Sequence, residues 1–185
     1  MSDNIFLAGE KVILRPYEPG DEVVYAKLEN NPETRRTLFY ALPITSAAHK
    51  DKTGKFLHDP NTILLTICRT EDGTAIGQTA FFRIDWVGRM ATFYIGISDT
   101  GNRSKGLGSE TTRLMVQYAF ETLNLNRVHL HVAVKNKAAV HVYEKTGFII
   151  EGTLREAMYN QGEYADFYVM GILKSDWEKI KKDKI

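Results

Sequence analysis

Arg103, Lys105, Gly106 and Gly108 fall within six consecutive positions, between a strand-like run and a strongly helical one. Cationic side chains and permissive backbone in one short turn suit an anion. A helix N-terminus leaves its first N–H groups unpartnered and carries a partial positive charge of roughly half a unit, so phosphate oxygens are favoured there. Glycine lets the backbone approach such a ligand with no Cβ in the way. The stretch Ser98–Ser109 therefore reads as an anion cradle. Two common phosphate loops do not fit it. The P-loop needs Lys-Ser or Lys-Thr after its second glycine, and Leu107-Gly108 follow Gly106 here. The dinucleotide fingerprint needs a third glycine where this chain has Thr111.

Other reactive side chains are sparse. His129 and His131 alternate with Val128, Leu130 and Val132, which puts both rings on one face of a strand. With no third ligand at suitable spacing they read as hydrogen-bonded sheet histidines rather than a zinc pair, and no metal is expected. Cys68 is the sole cysteine, so no internal disulfide forms, and its apolar surroundings mark it as a buried spectator thiol. Tyr143 shares a short helical face with Ala139 and Val140, and by spacing alone it is a core tyrosine.

The elements that must position these groups follow from periodicity. Lys11–Arg15 reads as a strand stopped by Pro16; Pro19-Gly20-Asp21 then gives a turn and an N-cap for a helix over Glu22–Asn30. Asn31 caps a further turn or two over Glu33–Leu38, with Pro32 at the first helical position. Residues 39–43 are apolar and aperiodic, equally a loop over a pocket or a buried connection, and Ser46–Leu57 is a weak helix capped by Ser46 and interrupted by Gly54. Three antiparallel strands follow at Thr62–Thr70, Ala75–Trp86 and Met90–Ser98. A helix over Arg103–Thr122 crosses to a strand at Arg127–Val134. Asn136 caps a helix that ends at Thr146-Gly147. Phe148–Glu151 and Leu154–Asn160 are two strand-like pieces, a hairpin turn lies at 160–163, Tyr164–Leu173 is the last strand, and Ser175-Asp176 caps a final helix. Residues 1–185 thus form a single α/β domain with a mostly antiparallel central sheet, one parallel step and helices on both faces, its crossover right-handed.

Composition narrows the function. The 185 residues are 43% hydrophobic and carry 24 basic against 23 acidic side chains, net +1. Such balance gives no overall field for nucleic acid or a membrane surface, so neither is an expected partner. The N-terminal residues have no basic region followed by an apolar run, and no long apolar stretch occurs, so a cytoplasmic protein is expected.

Arg103-x-x-Gly-x-Gly, then Leu123–Asn136 and Ala138–Gly152, then Leu154-Arg155, Gly162, Tyr164 and Asp166, resemble in order and spacing the core of the GNAT family of N-acetyltransferases. Within it they are similar to the RimJ/RimL branch, the N-terminal acetyltransferases of ribosomal proteins, and equally to the bacterial spermidine acetyltransferases. The resemblance implies acetyl-coenzyme A as co-substrate and two neighbouring parallel strands, Met90–Ser98 and Arg127–Val134, that splay at a bulge near Gly96. A bulge frees backbone groups that an amide-bearing arm can satisfy as an added strand would. Backbone of Ile95, Gly96 and Ile97 would then hold pantetheine. Arg103, Ser104, Lys105, Gly106, Leu107, Gly108 and Ser109 would hold the pyrophosphate, and Asn136 would bond the pantetheine arm. Ala139 and Tyr143 would line the coenzyme side. Tyr143 would be the general acid, which is chemically reasonable because a phenol of pKa about 10 can protonate a departing thiolate whose thiol has a pKa of about 8.5.

Two departures from the family pattern matter. Many RimJ/RimL relatives carry serine where this chain has Ala139, leaving Tyr143 the only family-matched acid. A glutamate common in the strand before the loop is Thr92 here, and an acidic position of some relatives is Met158, so the base is unassigned. Glu29, Glu33, Glu151, Glu156 and Asp85 are candidates by region, and a water chain serves as well. The expected reaction is acetyl transfer to a primary amine, of a protein N-terminus as in RimJ/RimL, or alternatively of a polyamine or other small amine such as an aminoglycoside. A binding module that senses acyl-coenzyme A without turnover is the other class, and the placed phenol argues against it. An oligomer remains open.

Overall fold

The computed structural model describes residues 4–38, 40–98, 100–102, 105–160 and 162–182. Strands β1 (Leu7–Ala8) and β2 (Val12–Pro16) form an opening hairpin, followed by helices α1 (Asp21–Asn30), α2 (Pro32–Arg35) and α3 (Ser46–Leu57). The meander β3 (Ile63–Arg69), β4 (Ala75–Asp85) and β5 (Met90–Ile97) leads through a short 3-10 turn to α4 (Leu107–Glu121). Then come β6 (Arg127–Ala133), α5 (Lys137–Thr146), β7 (Ile149–Asn160), β8 (Glu163–Leu173) and α6 (Lys174–Lys182). The eight strands lie in one sheet, ordered β1-β2-β3-β4-β5-β6-β8-β7, and every neighbouring pair is antiparallel except β5 and β6.

Strand alternation divides the core between two faces. Phe81 pairs with Phe93 across β4 and β5, and both pack with Val128, Leu130 and Val132 of β6 against Met115, Ala119 and Phe120 of α4 and Val140 of α5. One residue along, Ala80 of β4 pairs with Leu64 of β3 on one side and Tyr94 of β5 on the other, and this opposite face packs with Tyr25 of α1. Helices therefore cover both sides of the sheet, as two apolar sheet faces require.

The splay is real but its cause differs from the expected one. β5 and β6 pair only over Met90–Thr92 with Arg127–His129, whereas β6 stays paired with β8 to Ala133 and β5 with β4 to Ile97. Each strand follows its other neighbour, and the sheet opens between them. No register shift occurs at Gly96. The extra residue lies in β4, between Phe82 and Asp85, where Arg83 takes a φ of 51°. Gly96 is needed for space: an added Cβ would stand 2.5 Å from Leu28 Cδ2 and 2.6 Å from the Tyr94 hydroxyl.

Smaller differences have local reasons. α4 begins at Leu107 because Gly106 sits in the left-handed region at φ 82° and stops the helix from starting earlier. Arg103 and Ser104 lie outside the described residues. Gly20 rather than a side chain occupies the N-cap of α1, while Asp21 is buried, accepting both Nη atoms of Arg15 at 2.8 Å and the hydroxyl of Thr66 at 2.7 Å. α3 is capped by Thr45, not Ser46, and its buried residues are His49 and Thr53. The two pieces expected after Phe148 are one strand, β7, whose ladder to β8 survives irregularities at Ile150/Gly152 and Leu154/Met158.

Candidate functional site

The α4 N-terminus opens onto a cleft of about 570 Å³ between the diverging strands. Ile95, Gly96 and Ile97 line one side, Gly106, Leu107, Gly108 and Ser109 the end, and Asn136, Ala139 and Tyr143 the other side. Lys105 is exposed beside the cleft and contributes its carbonyl to a contact with Lys11. Among the described site residues, the three groups expected from sequence are thus brought together around one opening.

The opening suits a phosphorylated, amide-bearing ligand. No side chain caps α4 at Gly106, so the first-turn N–H groups keep their polarity for a ligand. A Cβ on Gly108 would meet nothing nearer than Ile97 Cδ1 at 3.8 Å, leaving the backbone approachable. β5 beyond Thr92 has no partner in β6, which leaves main-chain groups for an amide to pair with. Asn136 is partly engaged already: its side-chain oxygen accepts from Ala139 N at 3.3 Å to cap α5, and the amide NH2 is the group left for a ligand.

Tyr143 packs edge-on against Phe93, with ring centroids 6.4 Å apart, and against Phe148 at 5.8 Å. No hydrogen-bond partner among the described residues engages its hydroxyl, although the residue lines the cleft. Burial, with a smaller contribution from Tyr94, pushes its phenol above the ordinary range. The phenol is therefore fully protonated at neutral pH, and it is a weaker acid than a free phenol, with a wider gap to a thiol of pKa about 8.5. The ring contacts with Phe93 and Phe148 give Tyr143 a packing role.

The histidines have other partners. His129 Nε2 lies 3.1 Å from Thr92 Oγ1, its Nδ1 is buried without a partner, and burial followed by Arg127 and His131 keeps its pKa low. His131 lines the cleft. Among the described residues no three His, Cys, Asp or Glu side chains gather as they would around a metal ion.

Of the acids named by region, only Glu33 lines the cleft, and Arg36 pairs with it at 3.1 Å. Glu29 is buried with Lys52 at 2.6 Å and His49 at 3.1 Å. Burial alone would raise its pKa, and those hydrogen bonds together outweigh it and hold the carboxyl below its ordinary value. Glu151 pairs with Arg127, Glu163 with Lys135, and Asp85 accepts the turn N–H groups of Val87 and Gly88. Glu156 takes a φ of 52° at the second β7 irregularity.

Sequence reasoning missed the wall supplied by Leu28, Thr34, Thr37 and Leu38, because α1 and α2 reach the cleft only through tertiary packing. It missed Gly77 too. A Cβ there would overlap the Gly96 carbonyl oxygen, so these two glycines fit each other across β4 and β5. A glycine inside a strand pattern was the available signal.

Residues 11–149 match the model of the acetyltransferase (GNAT) domain. The chain belongs to the GNAT acetyltransferase family. This GNAT chain is 32% identical to the spermidine N(1)-acetyltransferase of Vibrio cholerae over 168 residues, 90% of this chain and 95% of that protein. With YdaF of Bacillus subtilis, provisionally named a ribosomal N-acetyltransferase, it shares 31% over 179 residues, covering 93% and 96%. The crystal structure of the Vibrio cholerae spermidine N-acetyltransferase with CoA and spermine superposes with a TM-score of 0.83 at 30% identity, covering 92% of this chain and 99% of that one. The GNAT chain is accordingly an acetyl-CoA-dependent N-acetyltransferase with the mixed sheet and flanking helices of that fold. None of its described helices is long and apolar enough to cross a membrane.

Proposed function

We propose that residues 1–185 act as one acetyltransferase domain whose acceptor is a small primary amine of the polyamine class, rather than the protein N-terminus that the RimJ/RimL resemblance placed first. The observation that carries this reading is nearly end-to-end likeness to spermidine N-acetyltransferases in both sequence and fold, including one solved with CoA and spermine. The N-terminal α-amine stays as a second reading on two grounds. YdaF covers the chain equally well, and the acids of this cleft are few and paired. An alkyl amine of pKa about 10.4 is neutral in only about one molecule per thousand at about pH 7.4, roughly 4 kcal/mol of deprotonation, whereas an α-amine near 8 needs far less.

Acetyl-CoA supplies the activated acetyl group as a thioester. The N–H groups of Gly106–Ser109, with Arg103, Ser104 and Lys105 in the same loop, hold the pyrophosphate, and backbone of Ile95, Gly96 and Ile97 pairs with pantetheine. The Asn136 amide bonds the same arm and Ala139 gives it room. Binding across the splay places the carbonyl carbon where an amine from the α1–α2 side can attack, and exposed N–H groups of β5 face the growing negative charge on oxygen. Tyr143 Oη gives its proton to the leaving sulfur, and the proton shed by the attacking nitrogen returns through water in the cleft to the phenolate, so that amide and free thiol are the products. The reaction is direct; Cys68 is fully buried, its thiol pushed up by burial, and it forms no acyl-enzyme.

An acceptor screen with acetyl-CoA tests the assignment: spermidine and spermine against peptides beginning with Ser, Thr or Ala, and against aminoglycosides. Turnover of polyamines with kcat/KM at least tenfold above any peptide is expected. Turnover confined to peptides would transfer the chain to the N-terminal class.

A further inference from the structure

Lys11 lies almost a hundred residues before the coenzyme loop in sequence, yet its ammonium reaches that loop. Its Nζ donates to the Lys105 carbonyl at 3.2 Å and stands 3.3 Å from where a Cβ on Gly106 would be. The placement is built by the backbone. Glu110, in the first turn of α4, accepts from Glu10 N at 2.8 Å with one oxygen and from Lys11 N at 2.8 Å and Val12 N at 3.1 Å with the other. A Cβ on Gly9 would come within 2.7 Å of the Glu110 carboxyl carbon, so the β1–β2 turn presses directly on that side chain.

The electrostatics of this arrangement point outward. A helix N-terminus is the positive end of its dipole and disfavours a neighbouring cation. Glu110 answers the turn's N–H groups, not the Lys11 ammonium, and no carboxylate among the described residues lies within ion-pair distance of Nζ. An ammonium has three donors, and one is used on Lys105. Lys11 is exposed, so water serves the other donors in the free protein, and a bound phosphate would replace that water with an opposite charge and remove the conflict between the cation and the helix end.

We propose that Lys11 is a phosphate ligand of the coenzyme, delivered to the pyrophosphate at Gly106 by the β1–β2 turn. This rests on the assignment of the α4 N-terminus to acetyl-CoA and adds a cation from outside the loop that carries the family motif. Its role is to bind, and the acyl transfer step does not use it.

Isothermal titration of CoA, dephospho-CoA and acetyl-pantetheine tests it without turnover. Lys11→Gln keeps a donor for the Lys105 carbonyl and removes the charge. It is expected to weaken CoA by about three- to tenfold and flatten the salt dependence of binding, with Lys11→Arg restoring most of both. The same loss should persist with dephospho-CoA, which retains the pyrophosphate, and be absent with acetyl-pantetheine. A Lys11→Gln protein that binds CoA like the wild type, with the same salt dependence, reduces Lys11 to a tie between two turns and overturns the proposal. A loss that disappears with dephospho-CoA also overturns it, since the pyrophosphate would not be the partner. Gly108→Glu separates the two layers of the argument. If it leaves CoA affinity intact, the loop assignment itself fails; if it abolishes binding while Lys11→Gln does not weaken it, only Lys11 is misassigned.

Discussion

The hydroxyl of Tyr40 lies 2.6 Å from that of Tyr94, joining residues 54 positions apart. Tyr94 projects from β5 beside Gly96, and Tyr40 lies two residues after Leu38, which lines the cleft. Burial raises the Tyr94 phenol to about 12 although hydrogen bonds from Tyr40 and Gln78 oppose the rise, so both hydroxyls are neutral at physiological pH. The Tyr40 carbonyl accepts from Arg35 Nε at 3.0 Å and Lys52 Nζ lies 5.5 Å from its ring centroid. This contact ties the segment after α2, whose residues 36–38 wall the cleft, to β5.

Tyr40→Phe should therefore loosen the wall without disturbing the coenzyme. The variant should lose about 0.5–1.5 kcal/mol of stability, the worth of one hydrogen bond. KM for the amine should rise several-fold, while the dissociation constant for CoA stays within twofold of wild type. Steady-state kinetics alongside CoA titration checks the split, and a loss of CoA affinity equal to the rise in KM would contradict it.

The Glu29 network predicts a pH limb in stability. The Glu29 carboxyl is depressed below its ordinary value of 4.5 in the folded chain. Its contribution is then present above that value and is lost as pH falls through the folded value. Glu29→Gln should be destabilised at neutral pH by about 1–3 kcal/mol, because Lys52 and His49 lose their charged partner. Urea unfolding between neutral pH and the acid region should show the difference between the two proteins shrinking below about pH 4.5. A difference constant with pH would mean that Glu29 has no depressed titration.

Two glycines of the site should respond oppositely to alanine. Gly77→Ala drives a Cβ into the Gly96 carbonyl and should cost about 1–3 kcal/mol or more, since backbone on both strands must move. Gly108→Ala meets only ordinary contact with Ile97 and should leave the melting temperature nearly unchanged while weakening CoA, whose approach is what the glycine leaves open. Thermal melts with and without CoA distinguish them; equal melting temperatures for both variants would refute the packing at Gly77.

Local features were legible in the sequence, and those that depend on distant neighbours were not. Asn31-Pro32 announced α2, and the structure shows the Asn31 side chain accepting from Glu33 N at 2.8 Å. Val128, Leu130 and Val132 announced β6 by alternation. The single strand β7 was hidden because two irregularities break its alternation, and only pairing with β8 carries it across. α3 read as weak because Gly54 interrupts it, yet His49 meets Glu29 of α1, a tertiary contact with no local signature. Within the site, the glycines and Tyr143 carried motif and spacing. Lys11 and Tyr40 carried neither, since what distinguishes them is contact with Lys105 and Tyr94, distant in the sequence.

The central claim is that Tyr143 gives its proton to the departing thiolate, and single-turnover acetyl transfer by Tyr143→Phe tests it most directly. Phenylalanine keeps the ring against Phe93 and Phe148, so folding and CoA affinity should change little. Because burial holds the wild-type phenol above the ordinary range, no loss of rate from its ionisation should appear near neutral pH. The rate of transfer to an identified amine should fall by about 10- to 10,000-fold in the variant, the range for losing a general acid and its positioning. Transfer at the wild-type rate, with CoA bound normally, would make Tyr143 a packing residue and contradict the account.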